Sequence, residues 1–96
     1  MSYTVDGGRE YVGMIDYLNE GYEWDITAVW RDAKDPKKFW WVDDSGCSCH
    51  CPLEYVTEED MTSGSFFELA EYLQNRNCND DQDIAAEIVE ILIKLR

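Results

Sequence analysis

An alternation of apolar and polar side chains between Tyr22 and Arg31 is the feature that most constrains the fold of this chain. Every second residue of the segment is apolar, and the positions between them include Asp25 and Thr27. A period of two is that of a β-strand with one buried face, because successive side chains point to opposite faces of a strand. The segment therefore predicts a half-buried strand whose apolar side chains are Trp24, Ile26, Ala28 and Trp30.

A second strand is predicted after a short loop at 32–37, in which Pro36 suits a turn and does not suit a central strand. The residues at 38–43 are rich in aromatic and branched side chains, which favour strands. Together the two segments predict a hairpin at about 22–43.

The second strand carries bulky apolar side chains on both of its faces. Phe39 and Trp41 share one face, and Trp40 and Val42 share the other. Such a strand is either buried on both faces or presents one face to a partner. In so small a domain, an exposed Trp40 or Trp41 is one expectation.

Two later segments have the signatures of α-helices. Ser65 and Glu68 match a capping box, in which each side chain satisfies a backbone amide at the start of a helix, and an apolar stripe follows. This predicts a helix at about 65–76. A second helix is predicted at about 81–95, after aspartates that suit the positive end of a helix dipole. Its expected buried face consists of Ile84, Ile88, Ile91, Leu92 and Leu95.

Because strands come first and helices follow, the sequence favours an α+β fold: a small antiparallel sheet packed by two C-terminal helices. The length of 96 residues fits one domain, 1–96. The start of the chain, 1–21, is ambiguous. Tyr3 and Val5 alternate as in a strand, whereas later apolar residues have helical spacing. A strand and a short helix both stay open there, the residues at helical spacing being Tyr11, Met14, Ile15 and Leu18.

The charge of the chain limits its partners. Twenty-one acidic residues against eight basic ones give a net charge of −13. Direct binding to nucleic acid or to an anionic membrane surface is disfavoured, because both need a basic footprint. The charge favours a protein partner with a basic surface, although acidic residues also serve solubility alone. With no secretory leader and no apolar run of the ~20 residues that span a bilayer, a cytoplasmic location is expected.

One loop concentrates potential metal ligands. Cys47, Cys49 and Cys51 surround His50, and Cys78 is the remaining thiol. These four cysteines, with His50 as a substitute, are the candidate ligands of a structural zinc ion. The one-residue spacing is shorter than the usual spacing in zinc sites, so the other interpretation is reduced cysteines that fill a tight loop.

An enzyme is not expected. His50 is the one histidine, and a sequence neighbour of a cysteine rarely aligns with it for proton transfer. The nearby carboxylates of Asp43 and Asp44 disfavour a thiolate. The sequence also contains no phosphate-binding glycine loop and no nucleophile elbow.

The stretch from Trp30 to Glu54 carries a resemblance to other proteins. An aromatic strand leads into Asp44-Ser45-Gly46-Cys47-Ser48-Cys49, and Pro52 follows. This pattern resembles small uncharacterised proteins encoded by bacteriophages of actinobacteria, which have a tryptophan-rich hairpin, the same six-residue loop and an acidic helical tail. His50 and Cys51 depart from the usual loop of the group. The resemblance implies a phage accessory protein acting in the cytoplasm of an infected bacterium, where proteins of this size commonly bind a host protein.

Three hypotheses follow. The first is a non-enzymatic phage accessory protein that binds a host or phage protein through an acidic, aromatic surface with Trp40, Trp41, Asp43 and Asp44 as contacts. The second is a small zinc-binding module built on the cysteine loop. The third is an acidic mimic of nucleic acid that inhibits a defence or transcription protein. Its carboxylates are Asp80, Asp83, Glu87 and Glu90, at suitable helical spacing.

Overall fold

Four antiparallel strands form one sheet, in which each strand pairs with the next one along the chain. The structure, a computed structural model, describes residues 9–18, 23–47, 53, 56–77 and 80–95. These contain the four strands, one 3₁₀ turn at Glu58–Asp60 and two α-helices, which confirms the predicted α+β fold. The elements are β1 (Arg9–Asp16), β2 (Glu23–Asp32), β3 (Phe39–Cys47), β4 (Thr62–Gly64), α1 (Phe66–Arg76) and α2 (Gln82–Lys94).

The predicted hairpin is formed by β2 and β3, which pair from Arg31↔Phe39 to Glu23↔Cys47. Its turn is held by the Asp32 carboxylate, which accepts hydrogen bonds from two backbone amides of the loop. The hairpin extends past its predicted end at about 43. The strand continues to Cys47 because pairing with the start of β2 uses backbone groups and needs no apolar side chains.

The first described strand, β1, pairs with β2 and contains a β-bulge between Tyr11 and Gly13. The extra residue reverses the alternation, so Tyr11 and Met14 lie on one face while Val12 and Ile15 lie on the other. The apolar spacing in this segment, which resembles that of a helix, therefore results from the bulge in the strand. Of the two alternatives for this region, the strand is correct for Arg9–Asp16.

The short strand β4 had no signal in the sequence, since Thr62–Gly64 shows no apolar alternation. It follows the 3₁₀ turn, where the Asp60 carboxylate accepts hydrogen bonds from the amide and hydroxyl of Thr57. Gly64 is required in β4 for reasons of space. A Cβ at this position would lie 2.9 Å from the Trp41 ring and 3.2 Å from the Glu68 carboxyl carbon.

Both helices agree with the prediction to within a residue or two at each end. At α1 the Glu68 amide donates to the Ser65 hydroxyl, and the Ser65 amide donates to the Glu68 carboxylate. At α2 the Asp81 side chain caps the helix by accepting from the amides of Asp83 and Ile84. Neither helix in the described part of the chain is long and apolar enough to cross a membrane.

The sheet separates two hydrophobic clusters. On the face that we name the helix-covered face, α1 and α2 pack their apolar stripes onto the strands. On the opposite face a smaller cluster includes Leu53, and Val56 and Met61 pack against it. The helix-covered cluster consists of Ile15, Val29, Phe39, Trp41, Leu69, Leu73, Ile84, Ile88, Ile91 and Leu95. The cluster on the opposite face consists of Ile26, Ala28, Trp30, Val42 and Leu53.

Candidate partner-binding site

Strand β3 carries all four side chains predicted to contact a partner, and the pleat divides them between its two faces. Trp41 and Asp43 lie on the helix-covered face. Trp40 and Asp44 lie on the opposite face. The structure therefore does not gather them into one flat surface.

Trp41 is a core residue with 5% of its surface exposed. Its ring lies beneath α1, with a ring-centre distance of 5.8 Å to Tyr72. Because so little of the residue is exposed, Trp41 can form the wall of a site but not an exposed anchor.

Trp40 is half-buried on the opposite face, where two cations lie over its ring. The Arg9 guanidinium is 4.1 Å and the Lys38 ammonium 4.6 Å from the ring centre. The indole Nε1 donates to Asp32 at 3.2 Å. The backbone amide of Lys34 and this indole lower the pKa of the Asp32 carboxyl below its usual value. Trp40 is thus engaged in contacts that stabilise the hairpin end of the sheet.

Asp43 is the acceptor at the centre of a polar network between the sheet and α1. Its carboxylate accepts hydrogen bonds from the hydroxyls of Thr27 and Tyr72. The Arg76 Nε lies 3.4 Å from the same carboxylate, which is an ion-pair distance. The pKa of Arg76 is raised, because the attraction of Asp43 and Asp25 outweighs the opposing effect of burial.

The network extends to Tyr17 at the end of β1. Its hydroxyl donates to Thr27 at 2.8 Å, and its ring lies 4.3 Å below the Arg76 guanidinium. Arg76 also pairs with Asp25 at 2.7 Å. Burial is the largest reason that the pKa of the Tyr17 phenol is raised above its usual value. These contacts fasten α1 to the sheet and hold Asp43 in one orientation.

Asp44 holds the chain where it returns to the sheet after the cysteine segment. Its carboxylate accepts from the backbone amide of Leu53 at 2.7 Å and from that of Ser45 at 3.0 Å. Leu53 is buried and has a backbone φ of 69°, a left-handed conformation that is costly for a branched side chain. The Asp44 contact helps to hold Leu53 in that conformation.

Three of the four predicted contact residues line one cavity, which we name the β3 cavity. It has a volume of about 340 Å³ and opens beside β3, next to the point where β4 begins. Carboxylates contribute one part of its wall, and the aromatic side chains of a strand and a helix contribute another. The residues that line it are Trp41, Val42, Asp43, Asp44, Val56, Asp60, Thr62 and Tyr72.

Comparison with known proteins identifies the family of the chain. Residues 4–95 match a family described as a domain of unknown function. The chain belongs to the DUF7574 family. No curated protein and no solved structure matches the chain. The function of this DUF7574 domain therefore has to be argued from its own side chains.

The predicted zinc ligands of the DUF7574 domain lie almost wholly outside the described residues. Cys47 ends β3, whereas Cys49, His50, Cys51 and Cys78 are not among the residues that the structure describes. Within the described ranges, no group of three or more cysteine, histidine or carboxylate side chains could hold a metal ion. The zinc hypothesis stays a prediction. It requires that a chelator lowers the melting temperature, because metal binding and folding are linked.

Among the cavity residues that sequence reasoning missed are one carboxylate, Asp60, and one aromatic residue, Tyr72. Asp60 lies in a 3₁₀ turn distant in sequence from the predicted contacts, and Tyr72 lies beside the predicted apolar stripe of α1. The antiparallel return of β4 and the packing of α1 bring both to β3. The amphipathic pattern of α1 was the one available signal, because Tyr72 lies on the side of the helix next to Leu69 and Leu73.

Proposed function

We propose that this DUF7574 domain is a non-enzymatic phage accessory protein that binds another protein, and that the β3 cavity receives a basic side chain of that partner. The observation that carries the proposal is the joining of three carboxylates and two aromatic walls around one cavity. The phage source comes from the sequence resemblance alone.

The lining of the β3 cavity suits arginine better than lysine. A guanidinium is planar, stacks on aromatic rings and binds carboxylates through paired donors, whereas an ammonium is a strongly hydrated point charge. The partly exposed ring of Tyr72 offers the aromatic surface, beside the largely buried Trp41. Asp44 and Asp60 each use their carboxylate in hydrogen bonds to the chain, and a carboxylate has further lone pairs to accept from a ligand.

The net charge of −13 adds a long-range contribution. A field of one sign speeds the encounter with a basic partner and weakens as salt screens it. The proposal therefore expects binding that falls with ionic strength, with specificity coming from the cavity.

Calorimetric titration with an unstructured arginine-rich peptide tests the proposal. The double variant Asp44→Asn and Asp60→Asn removes two charges from the cavity but keeps oxygen acceptors for Leu53 and Thr57. The control double variant, Glu10→Gln and Glu23→Gln, removes two charges from exposed strand positions. We expect the cavity variant to weaken binding by about tenfold and the control by about twofold or less. An equal loss in both variants would show that only net charge matters and would refute the proposal.

A second candidate function, the nucleic-acid mimic, is favoured by the charges along α2. Asp83, Glu87 and Glu90 are all exposed on this helix, and Asp80 is exposed just before it. Burial raises the pKa of the Glu87 carboxyl, and the repulsion of neighbouring acidic groups raises it further. The repulsion indicates a negative potential around this part of α2. Competition between the domain and duplex DNA for a basic DNA-binding protein tests this candidate, and reversal of Asp83 and Glu87 to lysine should abolish the competition.

A further inference from the structure

Exposed apolar side chains are concentrated on the outer side of the two helices. Among the described residues, four large hydrophobic side chains are exposed, and three of them belong to α1 or α2. Phe67 is 81% exposed, Ile93 65% and Val89 52%. We name these three residues the helical patch. Single exposed apolar residues are ordinary, but a group on one side of a small domain marks an interaction surface.

The helical patch has the dimensions of a helix-binding site. The start of α1 and the end of α2 meet, because Phe66, Phe67 and Leu95 line one groove. Val89 lies six residues before Leu95, which is about 9 Å along the helix. An amphipathic helix places apolar side chains at i, i+3 or i+4, and i+7, over about 10 Å. Val89 and Ile93 are one turn apart on α2, and Phe67 shares a groove with Leu95 at the end of that helix, so their arrangement matches this spacing.

Acidic side chains border the helical patch on both helices. Glu71 follows Phe67 by one turn on α1, and Glu90 precedes Ile93 by three residues on α2. Both glutamates are exposed. A second copy of the chain would bring these glutamates against their counterparts and would carry a further net charge of −13. Lys94 is exposed beside Ile93 and Lys37 lines the groove with Phe67, so the preference for a basic occupant over a second copy comes from the two glutamates and from the net charge of the chain.

We propose that the helical patch is a docking surface for a cationic amphipathic helix of a partner protein. Its apolar face covers Phe67, Val89 and Ile93, and its lysine or arginine side chains reach Glu71 and Glu90. The surface is separate from the β3 cavity, which α1 lines with Tyr72, a residue engaged with Asp43 on the sheet. The proposal therefore does not depend on the proposed function of that cavity.

The test uses a fluorescently labelled helical peptide of about 18 leucine and lysine residues with leucines at i, i+3, i+4 and i+7. Fluorescence anisotropy measures its affinity for the full chain. The variant Phe67→Gln with Ile93→Gln should weaken binding by about tenfold or more, because each exposed side chain loses its apolar contact. The control, Leu18→Gln, removes the fourth exposed apolar side chain and should change affinity by about twofold or less. Circular dichroism checks that each variant keeps its fold.

A second pair of measurements guards against a variant that does not fold. Replacing Glu71 and Glu90 with lysine should weaken the same peptide while leaving the apolar contact intact. A peptide with glutamate in place of lysine and the same leucines should bind the original chain at least about tenfold more weakly.

Three results would overturn the proposal. One is an unchanged affinity in the Phe67→Gln and Ile93→Gln variant. Another is a loss of affinity in Asp44→Asn and Asp60→Asn alone, which would assign the peptide to the β3 cavity and leave that proposal standing. The third is a dimer in sedimentation analysis that the Phe67→Gln and Ile93→Gln variant dissociates, which would make a second copy the occupant.

Discussion

The two faces of the sheet are both buried, but by different structural means. On the helix-covered face, α1 and α2 bring apolar stripes with regular spacing onto residues such as Val29, Phe39 and Trp41. On the opposite face, the described residues that cover the strands come from an irregular segment that includes Val56 and Met61. Long cationic side chains, Arg9 and Lys38, complete that cover over Trp40.

The two faces therefore have different roles. One contributes most of the stability of the fold, and the other positions individual side chains. The helix-covered face contains the larger apolar cluster, so it contributes the larger share of the free energy of folding. The opposite face depends on individual polar contacts, such as the one from Asp44 to Leu53. The β3 cavity lies where the two arrangements meet, because Asp43 and Tyr72 belong to one face and Asp44 to the other.

The neighbouring tryptophans of β3 provide the largest test of this comparison. Trp41→Ala should lower the free energy of unfolding by about 3–5 kcal/mol, the cost of a large cavity in a core. Trp40→Ala should cost about 1–3 kcal/mol, because it removes a half-buried ring, its cation contacts and one hydrogen bond. Urea unfolding monitored by circular dichroism measures both values. A larger loss for Trp40 than for Trp41 would contradict the comparison.

A smaller loss of stability is expected for a substitution at the contact between β4 and the helix-covered face. Gly64→Ala places a methyl group within 2.9 Å of the Trp41 ring and close to the Glu68 carboxyl that caps α1. We expect a loss of about 1–3 kcal/mol, because the buried ring has little room to move. The control is Gly13→Ala, where the new Cβ would lie 3.5 Å from Ile91, an ordinary contact distance. Equal losses in urea unfolding would show that crowding against the Trp41 ring does not determine the cost.

Removal of the Tyr72 hydroxyl should lower the free energy of unfolding by a moderate amount. Tyr72→Phe removes the hydrogen bond to Asp43 but keeps the ring against Trp41. The expected loss is about 0.5–1.5 kcal/mol, the usual range for one hydrogen bond. Thermal unfolding compared with Tyr72→Leu, which also removes the ring, separates the two contributions. A Phe variant as unstable as the Leu variant would show that the hydroxyl accounts for the whole effect.

The smallest effect is predicted for Glu87 at the solvent side of α2. Its pKa is raised in the folded state above the ordinary 4.5, so the stability linked to its protonated form is present at low pH and is lost as pH rises through the folded pKa. Glu87→Gln should therefore stabilise the protein at pH 7 by at most about 0.5 kcal/mol and have no effect below about pH 4. Melting temperatures across this range, with Glu10→Gln as the control, measure it. A stabilisation that persists at low pH would rule out the electrostatic cause.

The sequence predicted the elements whose patterns are local. The β2–β3 hairpin followed from alternation, and the start of α1 followed from Ser65 and Glu68. The bulge in β1 could not be read, because one extra residue gives a strand the apolar spacing of a helix. The short strand β4 carried no pattern, since its place depends on pairing with a strand distant in sequence.

Part of the lining of the β3 cavity could be predicted from the sequence, because those residues belong to one short segment. Trp41, Asp43 and Asp44 were proposed as contacts because they combine aromatic and acidic side chains, and they line one cavity. Their internal partners could not be inferred, because Tyr72 and Arg76 reach Asp43 only through the packing of α1 on the sheet. The helical patch was also missed, because pattern analysis identified the buried stripe of α2 and not the apolar residues outside it.

The central claim is that the β3 cavity binds a basic side chain. The most direct test is a titration with the arginine-rich peptide in which the shifts of the backbone amide resonances are mapped onto the structure. Assigned nitrogen–proton spectra of the labelled protein show where the peptide binds at moderate salt. The account predicts that the largest shifts occur at 41–45, at 60–62 and around Tyr72, and that they saturate. Shifts spread over the acidic surface, or concentrated along α2, would contradict it.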